Sequence, residues 1–179
     1  MIYMFLANGF EEIEALMPLD LMRRAGLPVK TVGVGGLEIT GSHGITVKAD
    51  MLDSDFADKT PECVILPGGM PGTKNLDASP VVHKALDIAL ENNSLICAIC
   101  AAPMILGKRG ILRGKKATCF PGFEEYLEGA TLSSLSVVRD GNIVTAKGMG
   151  VALPFGLALV ELLTDKKTAD ELKKAVMAE

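Results

Sequence analysis

The chain has 179 residues, of which 49% are hydrophobic and 22% charged, and its net charge is −4. That length suits one domain with a core that needs no staples, and the composition is globular rather than fibrous or disordered. Lys plus Arg number 18 against 22 Asp plus Glu, with no basic run, so nothing marks a partner such as nucleic acid or an anionic membrane.

Met1–Ala7 lacks a basic leader region and reads as a first strand, Ile2–Leu6, rather than a signal peptide. No later apolar run reaches the ~18 uninterrupted residues of a membrane helix. Glu11–Ala25 has helical spacing at Ile13, Leu16, Met17, Leu21 and Arg24, Gly26 in the capping place, and Pro18 inside it, which should kink it or cost a hydrogen bond. Val29–Val34 is the second strand, and Gly35-Gly36 then leads into a small hairpin of Leu37–Thr40 and Ile45–Ala49. Cys63–Leu66 is a buried strand ending at Pro67-Gly68-Gly69, and Ser79-Pro80 opens a helix to about Asn92. Ser94–Ile99 is a continuous apolar strand, and the helix after Cys100 runs to about Arg109. Lys116–Cys119 and a Val137–Arg139/Ile143–Ala146 pair around Asp140-Gly141 add strands. Gly148-Met149-Gly150 leads into a helix through Leu163, and Ala169–Ala178 forms the last helix. Apolar runs alternating with amphipathic stretches predict an α/β fold, a mostly parallel central sheet with helices on both faces, in a single domain spanning 1–179.

The chemistry concentrates at three predicted strand ends. Cys100 stands where an apolar strand meets a helix, with Ala98, Ala101 and Ala102 around it. This is the arrangement of a nucleophile elbow, and a helix N-terminus there favours thiolate over thiol. The glycines after Leu66 would bring backbone N–H groups to the same carboxyl edge, as an oxyanion site requires. Glu11, Glu12 and Glu14 share a third strand end; acids there are ordinary helix-start charges, and spacing alone does not decide which faces the edge. Cys63 and Cys97 lie inside apolar strands and read as inert core, and His83 lies on a polar helix face as a solvated side chain. The cysteines follow no secreted-type spacing, so reduced thiols in a cytoplasmic protein are expected. No His/Cys/Asp cluster has ligand spacing, so no metal and no cofactor is implied.

Ala7-Asn-Gly-Phe-Glu-Glu-Ile-Glu14, Leu21-Met-Arg-Arg-Ala-Gly26, Leu66-Pro-Gly-Gly69, Ala98-Ile-Cys-Ala-Ala-Pro103 and Gly148-Met-Gly150 together closely resemble the ThiJ/PfpI superfamily. Within it they are most similar to the DJ-type branch of the parkinsonism-associated protein deglycase. The resemblance implies a flavodoxin-like three-layer sandwich and a homodimer, with the first helix and the 37–49 hairpin in its interface. It assigns the reactive cysteine to Cys100, its buried acid partner to Glu14, and the backbone oxyanion positions to Gly69 and Ala101. Arg24 and Gly148–Gly150 would be structural or dimer-facing. Phe120 takes the place where many relatives carry a histidine, and position 101 is Ala where the peptidase branch has a histidine. The glutamine amidotransferase reading fails as well, because no His-x-Glu triplet exists. His43 is either a surface-turn residue or part of a pocket at the dimer partner. Cys119 is either a packing residue or a resolving thiol for oxidised Cys100.

A protonated Glu14 would donate to a Cys100 thiolate, so the expected directions are a lowered thiol pKa and a raised carboxyl pKa. The function implied is attack of Cys100 on a small-molecule aldehyde such as methylglyoxal, or on a glycated protein substrate. The alternative is a non-catalytic, redox-responsive stress protein or chaperone that senses oxidants through the same thiol.

Overall fold

The computed structural model describes residues 1–56 and 59–178. Strand β1 is Ile2–Leu6 and helix α1 Glu12–Arg24, followed by β2 at Val29–Gly33. A hairpin of β3 (Glu38–Thr40) and β4 (Thr46–Lys48) leaves the sheet, and β5 (Met51–Leu52) returns to it. Next come β6 (Cys63–Leu66), α2 (Gly72–Asp77), α3 (Pro80–Glu91), β7 (Leu95–Ile99) and α4 (Pro103–Lys108). The remainder is β8 (Lys116–Ala117), β9 (Thr131–Leu132), β10 (Val137–Asp140), β11 (Ile143–Ala146), α5 (Ala152–Leu163) and α6 (Lys166–Ala175). No helix among the described residues is long and apolar enough to cross a membrane.

Seven strands form one sheet in the order β10-β11-β7-β6-β1-β2-β5. Its pairings are parallel except for the β10–β11 hairpin. Side chains alternate across each strand, and both sets are apolar. Tyr3, Phe5, Val64, Leu66, Ile96 and Ala98 pack with α2, α3 and α4 on one face. Ile2, Met4, Leu6, Ile65, Cys97 and Ile99 pack with α1, α5 and α6 on the other. The expected three-layer flavodoxin-like sandwich is therefore what this chain forms.

Two chain directions diverge between β1 and β6, because β2 lies on one side of β1 while β6 lies on the other. At such a switch point the connections leave in opposite directions and open a crevice outside the carboxyl ends of the strands. The loops after Leu6, Leu66 and Ile99 all emerge at this edge, which places the three predicted strand ends side by side.

Several local expectations are corrected. The segment Lys116–Cys119 supplies only two strand residues, which pair with β9 in a separate small sheet. Thr118 instead gives its N–H to Thr145 Oγ1, which ends the ladder. The helix after Cys100 does not follow it directly but starts at Pro103, and it has six residues. Pro18 does lie inside helix α1 as expected, and Gly156 of α5 packs so closely there that an added Cβ would stand 2.9 Å from Pro18 Cα. The last helix starts at Lys166, where Asp165 caps it by accepting the Thr168 N–H.

Candidate functional site

At the end of β7 the chain reverses sharply, with the Ala102 N–H donating to Ile99 O at 3.1 Å. Cys100 takes a left-handed backbone conformation with φ 64°. This region is disfavoured for residues with a side chain, and such strain is found where a group must be held at a fixed point. Two bonds hold it there: the Cys100 N–H donates to Ala146 O, and Cys100 O accepts from the Phe120 N–H. Ala101 and Ala102 are buried at the turn, where larger side chains would crowd it. The elbow expected from the sequence is present.

The carboxyl that meets it is Glu14. Glu11 caps α1 by accepting the Glu14 N–H at 2.7 Å, which leaves the Glu14 side chain in the first turn of the helix. Glu14 is only 1% exposed and aims into the edge. Its Oε2 accepts the Gly68 N–H at 3.0 Å; the Met149 N–H and the Cys100 thiol also hydrogen-bond this carboxyl. The Gly69 and Ala101 N–H groups point at the sulfur. Gly68 lies in the gap between the partners: a Cβ there would stand 2.5 Å from Glu14 Oε2 and 2.6 Å from Cys100 Cβ.

Burial, with the Glu11 charge beside it, raises the Glu14 carboxyl to about 7 against the pull of its hydrogen bonds. Burial first, then the charge and hydrogen bond of Glu14, push the Cys100 thiol up to about 12. The carboxyl behaves as expected, whereas the expected lowering of the thiol is overturned. The physical reason is that the dipole of α4, a six-residue helix starting three residues on, is too small and too far away to offset burial. Above pH ~7 the two groups share one proton. When it sits on Glu14, the carboxylate repulsion vanishes and the sulfur keeps the Gly69 and Ala101 donors.

The DJ-1/PfpI family matches residues 1–162 of this chain. The chain belongs to this family. It is 36% identical over 173 residues to the Parkinson disease protein 7 homolog of Danio rerio, covering 94% of this chain and 92% of that protein. It is 38% identical over 169 residues to Protein DJ-1 homolog B of Arabidopsis thaliana, but spans only 39% of that longer protein. A relative from Caenorhabditis elegans described as a glutathione-independent glyoxalase is 31% identical over 92% of this chain and 88% of its own length. Among solved structures, a cysteine-to-alanine mutant of a DJ-1 superfamily protein from Salmonella typhimurium superposes with a TM-score of 0.95 at 31% identity. That match covers 99% of this chain and 98% of the other. Oxidised DJ-1 of Toxoplasma gondii gives 0.94 at 32% identity, covering 98% of this chain and 97% of the other.

Around the DJ-1/PfpI elbow the other sequence candidates separate. Phe120 is 47% exposed, and its ring borders Gly148. Gly148–Gly150 is not merely structural, because the Met149 N–H reaches Glu14; no side-chain signal could have shown this backbone role. Arg24 is exposed and paired with Asp20 at 2.6 Å. Cys119 is buried at the same edge but faces a different cleft, with the Phe123 N–H as its hydrogen-bond partner. Burial, reinforced by the Glu124 charge, raises it to about 11. Cys63 and Cys97 are buried with their sulfurs 3.7 Å apart, and burial raises Cys97 well above an ordinary thiol.

The histidines and acids hold two corrections. His83 is not a free surface side chain: its Nε2–H donates to Asp77 O at 2.6 Å, and its Nδ1 accepts from Arg109 Nη1 at 2.6 Å. Glu12 is not an ordinary helix-start charge, being 2% exposed. Its carboxylate accepts from the His43 N–H at 2.7 Å, from His43 Nδ1 at 2.9 Å and from the Ile45 N–H at 3.4 Å. His43 is thereby part of a clamp between α1 and the hairpin, with its ring largely in solvent. Sequence spacing showed no metal-ligand set, yet folding collects donor atoms of Glu11, Glu12 and His43 within 4.8 Å of one another. Both Glu12 oxygens already serve the 43–45 turn.

Proposed function

We propose that this DJ-1/PfpI protein is a cysteine-dependent, cofactor-independent enzyme acting on reactive aldehydes or early glycation adducts, with Cys100 as nucleophile. The observation that carries this reading is the direct Glu14–Cys100 contact with the carboxyl raised to about 7. A proton acceptor with that pKa is well matched to neutral solution, where it both takes up and releases a proton. The reading also draws on the description of the worm relative as a glyoxalase.

In the proposed reaction the thiol proton passes to Glu14 as sulfur adds to the aldehyde carbon of methylglyoxal. The oxygen takes that proton back from Glu14 to complete the hemithioacetal, and the Gly69 and Ala101 N–H groups, which reach the sulfur, serve as donors to its developing charge. Glu14, ionised again, then moves a proton from the former aldehyde carbon to the neighbouring carbon while the hydroxyl proton passes to the neighbouring oxygen, giving a thioester of a hydroxy acid. Water cleaves the thioester, releasing the acid and restoring the thiol, so the net change is addition of one water. An early glycation adduct would first break its C–N or C–S bond, the leaving amine or thiol taking up the hydroxyl proton, and Cys100 would add to the aldehyde so freed. A single 1–179 domain, a cytoplasmic setting and a homodimer belong to the same reading, with Cys119 at most a resolving thiol.

Cys100→Ser should abolish methylglyoxal turnover, measured as hydroxy-acid production by freshly reduced protein. Retained turnover would remove Cys100 from the mechanism. Gly68→Ala should lower turnover by about 10²-fold, because an added methyl drives Glu14 and Cys100 apart and small misplacements are that costly. The measurement is the same assay, with far-UV circular dichroism to confirm folding.

A second reading, redox sensing, is favoured by one feature: Cys100 is only half-buried, so peroxide can reach it. Absence of turnover together with selective oxidation of Cys100 by peroxide would favour that reading.

A further inference from the structure

Beside the Glu14–Cys100 pair lies an open cleft of about 340 Å³, lined by Phe120, Pro121, Lys147, Gly148, Met149 and Val151. Its two most prominent side chains, Phe120 and Met149, are large and apolar yet 47% and 53% exposed. Phe120 does not hang free. Its backbone N–H is tied to Cys100 O at 2.8 Å, and its ring meets Phe123 edge-on with centroids 6.5 Å apart.

Gly148 connects this wall to the reacting groups. A Cβ built on Gly148 would stand 3.2 Å from Phe120 Cδ2 and 3.7 Å from Glu14 Oε1. The aromatic ring and the carboxyl therefore face the same small space from two sides, and the absence of a side chain at 148 keeps that space open. A carbonyl carbon held at Cys100 and served by Glu14 would send its substituent over Gly148, along the Phe120 ring.

We infer that Phe120 is a specificity-determining residue, and that the site selects 2-oxoaldehydes with an aryl or extended apolar substituent over those with a methyl group. The inference rests on the reading of Cys100 as the nucleophile. Aromatic pairs gain from offset or edge contact in addition to the area they bury, whereas a methyl group reaches too little of the ring to profit. Lys147 does not argue for an anionic substituent, because its Nζ is already bound to Ser134 O at 2.7 Å.

The test compares phenylglyoxal with methylglyoxal on wild type, Phe120→Ala, Phe120→Tyr and Tyr126→Ala. The expected result is a higher kcat/KM for phenylglyoxal in wild type, and a phenyl-to-methyl ratio about tenfold lower in Phe120→Ala, the discrimination typical of an apolar contact of this size. Phe120→Tyr should keep most of the ratio. Tyr126→Ala, two rings along the aromatic row, should leave it unchanged. A parallel measurement needs no turnover: the rate of Cys100 alkylation by iodoacetanilide relative to iodoacetamide should fall in Phe120→Ala by a similar factor. An unchanged ratio in both measurements would overturn the inference even with turnover intact. Loss of turnover in every protein, with the alkylation ratio still dependent on Phe120, would sink the aldehyde reading and leave the aryl-binding wall standing. Light scattering on the same variants covers the other occupant. If Phe120→Ala turns a dimer into a monomer, the face belongs to a second copy and the inference fails.

Discussion

Replacing Glu14 with Gln is expected to lower methylglyoxal turnover by about 10²–10⁴-fold, the usual contribution of a positioned acid–base group. Glutamine fills the same volume and can still accept from Gly68 and Met149, so the pocket survives while the titrating proton is lost. The pH profile isolates the cause. Below pH ~7 both Glu14 and Cys100 are protonated and no acceptor is available; above it the pair holds one proton. Wild-type kcat/KM should therefore rise with pH through about 7, and that inflection should be absent in Glu14→Gln. An unchanged inflection would mean another group takes the thiol proton.

The same shift predicts a stability change of opposite sign. The folded carboxyl is raised from 4.5 to about 7, so the folded state binds more protons than the unfolded chain between those values. Wild-type stability should fall as pH rises across that interval, by about 3 kcal/mol in total at 1.36 kcal/mol per unit. Glu14→Gln lacks this loss, so its advantage in Tm over wild type should be larger at pH 8 than at pH 4. A more active but less stable wild type is what an acid buried for chemistry would produce.

The sheet, its helices and the elbow were legible because they rest on local signals. Apolar runs such as Cys63–Leu66 and Leu95–Ile99, short and bounded by turn residues, suit central parallel strands, and Ser79-Pro80 fixes a helix start through capping. Glu14 was reached only through family resemblance, since three acids in four residues carry the same charge and their directions depend on where α1 meets the sheet. Glu12 was misjudged for that reason: its burial arises from a hairpin 30 residues further on, which no spacing within the helix can announce. The roles of Gly68 and Met149 belong to backbone atoms, so their residue types revealed little beyond the absence of a Cβ at Gly68. The thiol pKa was misjudged because donation from Glu14 and the dipole of the following helix were expected to outweigh burial, whereas that helix is short and begins only at Pro103.

Glu12→Ala should be the most destabilising change at a charged residue near the site, although Glu12 touches neither the sulfur nor Glu14. The wild-type carboxylate accepts two bonds from His43 and one from Ile45, and Gly41 packs against it with no room for a side chain. Removing it leaves those donors without a partner and opens a gap under the β3–β4 turn. A lost set of hydrogen bonds to a buried charge costs about 3 kcal/mol, which for a chain of this length lowers Tm by roughly 6–12 °C. Burial alone would raise the Glu12 carboxyl, but its bonds to His43 and to the backbone outweigh that and hold it below 4.5. A depressed acid contributes stability above its unfolded value and loses it as pH falls through the folded value. His43 is raised from 6.5 by the Glu12 bond and charge, so its contribution is complete below 6.5 and lost as pH rises through the raised value. The Tm gap between wild type and Glu12→Ala should accordingly be widest between about pH 5 and 6.5, narrowing steeply in acid and gently in base. Glu12→Gln should fall between the two, because one oxygen remains to accept while the amide opposes the His43 N–H. Thermal melts of the three proteins from pH 3 to 9 give the comparison. A gap that is flat across pH, or no larger than that of Glu11→Ala, would show that the hairpin docks without this carboxylate.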